Sequence, residues 1–118
     1  MASELPCIDP GVLGSLRSEL GEDAGPIIAE MIDAFPAEAA TQLAKMTPGV
    51  AAGELAKAAH RLRGSALNIG AAALCAVCAQ AEAAANHGDA VAALAHRAGM
   101  VQETDRVLAV LPTLRAAG

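Results

Sequence analysis

The chain has 118 residues, is 54% hydrophobic with a single aromatic residue, Phe35, and carries a formal net charge of −5. An acidic chain with only eight basic residues, none of them gathered into a patch, argues against nucleic acid or an anionic membrane surface as a partner. No run of about 18 residues is apolar without an interrupting charge, so no membrane span is expected. A core drawn from Leu, Ile, Val, Met and Ala, with little of the β-branched and aromatic content that strands favour, points to an all-α domain.

The opening MASELPCIDP lacks the basic and apolar regions of a secretory leader. The three cysteines, an odd number with Cys75 and Cys78 only three apart, do not read as a secreted disulfide framework. A cytoplasmic protein is expected. Asp9 and Pro10 suit the cap and first position of a short helix over about 9–20, with Leu13, Leu16 and Leu20 at helical spacing and Gly21 closing it. A second helix over about 23–46 carries Ile27, Met31, Phe35 and Leu43, and Pro36 is expected to kink it or split it in two. Thr47-Pro48-Gly49 is a break.

The third helix, about 50–69, ends at Gly70, where left-handed backbone is wanted. The fourth runs over about 71–87 and stops at His87-Gly88. Asp89 caps a fifth over about 89–115, carrying Val91, Leu94, Val101, Val107, Leu108 and Leu111, with Pro112 distorting its last turn. Breaks this short place successive helices antiparallel. The expected architecture is one domain over 1–118, an up-and-down antiparallel four-helix bundle with a short extra N-terminal helix.

The third helix holds the most informative pattern. At about 100° per residue, Ala58, Ala59, Leu62, Ala66 and Ile69 fall within about 60° of Leu55 and form a core stripe with it. His60 lies on the opposite side with Ala56, Lys57, Gly53 and Gly64, and Leu67 is an apolar residue on the same outer surface. An exposed helix face is usually filled with Glu, Lys or Gln. Here it is hollowed with Gly and Ala, although glycine in a helix costs roughly 1 kcal/mol relative to alanine. Gly64 makes room for a second backbone to approach His60. Lys57, Arg61 and Arg63 favour a neutral ring with a free lone pair and attract a phosphoryl group, to which Arg63 can offer two planar donors. No carboxylate is expected beside His60 to act as its base, and no serine or cysteine adjoins it as a nucleophile, so the histidine is itself the group to be modified.

At these residues the chain resembles the histidine-containing phosphotransfer (HPt) family of two-component phosphorelays. The family pattern, roughly H-x-L-K-G-S-A with a glycine a few residues on, reads here His60-Arg61-Leu62-Arg63-Gly64-Ser65-Ala66, followed by Gly70. Leu74 and Glu82 stand where the family often has Leu and Glu, and the Ile8-Asp9 start and Phe35 are similar too. The resemblance spans essentially the whole chain. It implies an exposed His60 that carries phosphate on Nε2 and exchanges it with the aspartate of a response-regulator receiver domain or of a hybrid histidine kinase's receiver. It implies a phosphocarrier with no kinase activity, ATP site or cofactor of its own, Mg²⁺ being supplied by the receiver. Arg63 would stabilise phosphoryl charge; Ala56, Lys57, Arg61, Gly64 and Leu67 would meet the partner. A monomer is expected. Arg63 departs from the family's usual lysine, keeping the charge but preferring bidentate contacts.

Three other readings compete. A purely structural module that binds a receiver or scaffold without carrying phosphate would have no reason to keep His60. A metal site from His60, His87, His96 and the cysteines lacks any i, i+4 ligand pair. The Cys75-x-x-Cys78 pair has no preceding strand, and the bland reading is two soft core hydrophobes.

Overall fold

The computed structural model describes residues 7–117; the leader reading falls mainly on residues 1–6, outside them. The described residues hold helices α1 (Pro10–Leu20), α2 (Ala24–Ala44), α3 (Ala52–Ile69), α4 (Ala72–Asn86), α5 (Ala90–Ala95) and α6 (Arg97–Ala117), and no strand. The bundle is formed by α2, α3, α4 and α6, with α1 leaning on α2 and α3.

The N-terminal signals act as the residue types dictate. The Asp9 carboxylate accepts from the Gly11 N–H at 2.9 Å, and Asp89 accepts from the Ala92 N–H at 2.9 Å, each satisfying a donor that has no partner inside its helix. Gly21 ends α1 at a φ of 58°. A single 3₁₀ turn, Gly21–Asp23, then leads into α2.

The expected break at Pro36 does not split α2, which remains one helix from Ala24 to Ala44. Pro36 is exposed, so its missing N–H costs one ladder bond while the opposite face stays packed. That face is Ile28, Ile32, Phe35, Ala39 and Leu43, all buried. Ile27, one of the apolar residues along the helix, is 39% exposed, and Met31 is half-buried. Phe35, the largest fully buried side chain, is 1% exposed; its truncation to alanine removes contacts worth about 3–5 kcal/mol.

The single fifth helix expected over 89–115 is instead two, separated at His96. The reason is a change of neighbours. α5 packs against α4 and α3, whereas α6 packs mainly against α2 and α4. Ala93 and Met100, on either side of the break, are both fully buried. The start of α6 is held by Arg97, whose Nε donates to the Leu43 carbonyl at 3.2 Å. A cation at an α2 carbonyl in the last turn also complements the helix dipole. α6 continues through Pro112, and Val91, one of the apolar residues of the expected helix, is 81% exposed.

The contact that positions the site is α3 on α4. Ala58, Ala59 and Ala66 on α3, and Ala73, Ala81 and Ala85 on α4, are buried, and side chains this small let two helix axes approach closely. Gly70 ends α3 in the left-handed region at φ 76°, with its N–H turned back to Leu67.

Candidate functional site

The core stripe read from α3 is buried at every position, Leu55, Ala58, Ala59, Leu62, Ala66 and Ile69, which turns His60 outward. Its side chain is 62% exposed. It lines a shallow depression of about 350 Å³ with Gly53, Ala56, Lys57, Arg61, Glu82 and Asn86. Ala56 is half-buried beside the ring, Lys57 and Arg61 are exposed, and Leu67, two turns along the same face, is 56% exposed.

Gly64 stands one turn beyond His60, exposed, in ordinary helical backbone. A Cβ placed on it would meet nothing within 4 Å, and the same holds for Gly53. The fold therefore has no need of either glycine. Both lower helix propensity on the one face that presents the imidazole, and the space they leave lies outside the molecule.

The expectation that no carboxylate lies beside His60 is corrected, because α4 delivers one: Oε2 of Glu82 lies 2.9 Å from Nδ1 of His60. The other oxygen, Oε1, pairs with Arg63 Nη2 at 3.2 Å, and that same Nη2 is 3.2 Å from His60 Nδ1. Glu82 is 18% exposed and Arg63 34%. The signal for Glu82 lay in the fourth helix: Cys78, Ala81 and Ala85 are its buried stripe, and Glu82, a turn beyond Cys78, sits on the edge of it. A carboxylate half withdrawn from water requires a partner.

The cationic surround is also less bare than charge spacing suggests. Lys57 pairs with Glu54 at 3.2 Å and Arg63 with Glu82, whereas Arg61 makes no ion pair among the described residues. The structure adds Lys45, from the end of α2, which shares a depression of about 430 Å³ with Lys57 and Arg61. Lys45, Lys57 and Arg61 thus form a basic rim on the α2 side of His60. Ser65 Oγ donates to Glu38 of α2 and ties the His60 helix to that side of the bundle.

The remaining candidates stand apart. His87 caps the C-terminus of α4 and His96 that of α5. Among the described residues no group of three or more His, Cys, Asp or Glu side chains is placed to hold a metal ion. The cysteines are free thiols. Burial pushes the Cys78 thiol up to about 12 and also raises Cys75, which donates weakly to the Arg63 carbonyl at 3.8 Å. Neither has the thiolate character that redox or metal chemistry needs. No helix among the described residues is long and apolar enough to cross a membrane.

No curated protein matches the chain. Among solved structures, the crystal structure of histidine-containing phosphotransfer protein B (HptB) from Pseudomonas aeruginosa PAO1 superposes with a TM-score of 0.80 at 24% identity, covering 96% of this chain and 97% of that one. This likeness is one of fold. The Hpt domain family model matches residues 15–116, and the protein therefore belongs to the Hpt domain family, the histidine phosphotransfer modules of two-component phosphorelays.

Proposed function

We infer that the protein is a phosphorelay intermediate: His60 accepts a phosphoryl group on Nε2 and passes it on, exchanging with the aspartate of a response-regulator receiver domain or the receiver of a hybrid histidine kinase. The observation that carries this reading is an exposed imidazole on a rigid helix, on a face where Gly53 lines its depression and Gly64 stands one turn beyond, neither glycine being required by the fold. Phosphoryl transfer passes through a loose transition state in which positioning and charge neutralisation do most of the work. The helix supplies the positioning. Gly64 and Gly53 let an acidic receiver pocket reach the ring in line with its phosphorus–oxygen bond. Arg63, one turn from His60, offsets charge on the transferred group. Ala56, Lys57, Arg61, Gly64 and Leu67 form the partner surface, extended by Lys45.

The protein acts as a carrier in the cytoplasm, as a monomer, with no kinase activity or nucleotide site of its own. Mg²⁺ belongs to the receiver. Docking is weak enough to let partners exchange, since the apolar part of the surface is small: Leu67 is its one strongly exposed large hydrophobe.

The test is transfer of labelled phosphate from a panel of purified phosphorylated receiver domains. At least one receiver loses label to the protein within minutes, and His60→Gln takes up none while keeping the wild-type circular dichroism spectrum. Uptake of label by the His60→Gln variant would refute the reading.

A further inference from the structure

Lys45, the residue that ends α2, lines with Lys57 and Arg61 of α3 the depression of about 430 Å³ between the two helices. Among the described residues neither Lys45 nor Arg61 makes an ion pair, and Lys57 pairs only with Glu54, on the same wall, at 3.2 Å. Three cations thus converge on one carboxylate in a chain whose net charge is −5. Cations gathered in this way repel one another, and an anion seated between them relieves the repulsion through charge-assisted hydrogen bonds. The wall also carries an unmet acceptor. Oε1 of Gln42, on α2, is buried with no hydrogen-bond partner among the described residues, which costs free energy. The terminal amide torsion of glutamine is soft, so a rotation of the amide turns this oxygen toward the depression, where a hydroxyl can donate to it. Glu54 and Thr47 add further acceptor oxygens on the same wall.

We propose that this depression is a binding site for a small polyhydroxylated phosphate monoester, a sugar phosphate in chemical class. The phosphate sits between Lys45 and Arg61, the arginine offering its planar fork and the lysine a point charge. The hydroxyls of the organic part donate to Gln42 and Glu54. The volume fits such a molecule, since small-molecule sites run from about 300 to 1,000 Å³, whereas a bare phosphate would leave most of the space to water and Gln42 unmet. The site also has a consequence for His60. Lys57 and Arg61, one turn apart on α3, line the His60 depression as well, so they form the ridge between the two hollows. An anion on the α2 side draws both cations toward itself and away from the imidazole, and a phosphoryl group arriving at His60 then meets less positive charge. Occupancy therefore slows phosphoryl uptake. The binding site stands independently of the phosphocarrier reading; its effect on transfer rests on that reading.

The test titrates ribose 5-phosphate, inorganic phosphate and ribose into nitrogen-15-labelled protein at fixed ionic strength and follows the amide shifts. Ribose 5-phosphate is expected to give saturable shifts centred on Lys45, Thr47 and Arg61, with a Kd on the order of 1 mM. Inorganic phosphate should bind at least about threefold more weakly, and ribose alone should give no shift. Lys45→Gln and Arg61→Gln should each weaken the sugar phosphate at least about threefold, while Arg17→Gln on α1, which removes the same charge elsewhere, leaves its binding unchanged. Label uptake from a phosphorylated receiver should slow at least about twofold when the site is filled, and the slowing should disappear in Lys45→Gln. No saturation up to about 20 mM, equal binding by inorganic phosphate, or binding untouched by both glutamine variants would overturn the site. If the cations serve only to meet an acidic edge of a partner protein, the first of these results follows. Uptake that does not slow at saturation would overturn the coupling to His60. The titration needs no phosphoryl transfer, so a protein that binds the sugar phosphate and takes label from no receiver overturns the carrier reading instead.

Discussion

The N–H of Asp9 donates to the carbonyl of Gly70 at 2.6 Å, joining the cap of α1 to the turn that ends the His60 helix. Gly70 is needed there twice over. Its φ is 76°, and a Cβ on it would lie 2.7 Å from the Asp9 carbonyl oxygen and 3.1 Å from the Val12 Cβ. Gly70→Ala is therefore expected to lower unfolding stability by at least about 2 kcal/mol, from the left-handed backbone and the clash together. Urea unfolding measures it; a change within about 0.5 kcal/mol, the range of an ordinary surface substitution, would show that the turn yields more easily than its packing indicates.

Gly64 has the opposite character. Open space surrounds it, so Gly64→Ala should stabilise the protein by about 0.5–1 kcal/mol through better helix propensity. The larger Gly64→Leu should cut phosphotransfer from a receiver by at least about tenfold, a loss of about 1.4 kcal/mol in the transition-state complex, with the fold intact. Stopped-flow transfer and urea unfolding on the same samples separate the two effects. A leucine variant with wild-type transfer would remove the hollow from the mechanism.

Asp33 and Arg115 join α2 to the end of α6 by two hydrogen bonds of 2.8 and 3.0 Å. The arginine holds the Asp33 carboxyl below its ordinary value of 3.8. A carboxyl whose value is lowered on folding contributes stability above its unfolded value, and that contribution is lost as pH falls through the folded one. The urea midpoint of wild type should exceed that of Asp33→Asn at about pH 6, and the gap should close toward about pH 2. Both groups are exposed, so the gap is small. A gap that stays constant with pH would assign the difference to something other than ionisation.

Cys78 is fully buried, with its thiol pushed up to about 12. Only thiolate reacts with alkylating reagents, so at about pH 8 native Cys78 should remain unlabelled until the chain unfolds. Peptide mapping after iodoacetamide treatment gives the answer. Rapid labelling of the native protein would reopen the Cys75-x-x-Cys78 pair as a reactive centre.

Much of this was readable before the structure, and the division has physical causes. The buried stripe of α3, the outward His60, the caps at Asp9 and Asp89 and the stop at Gly70 are local: each follows from helical period or from what one residue type does to its own backbone. The choice between Ile27 and Ile28 on α2 was not local. Ile27-Met31 and Ile28-Ile32 are both apolar i, i+4 pairs, and only the position of the neighbouring helices selects the second. The break at His96 arises because α5 and α6 serve different neighbours, which no residue near His96 announces. Glu82 reaches His60 across 22 residues of sequence; what could be seen was a carboxylate at the edge of a buried stripe, and the partner awaited the close α3–α4 approach that the alanines permit.

Locating the phosphate tests the central assignment most directly. The wild-type protein would be phosphorylated with a phosphoramidate, kept at alkaline pH, and mapped by tandem mass spectrometry together with phosphorus-31 spectra. One phosphoryl group on His60, bonded to Nε2, with His87 and His96 unmodified, is the expected result. Phosphate on either of those histidines with His60 bare, or none on the protein at all, would contradict it.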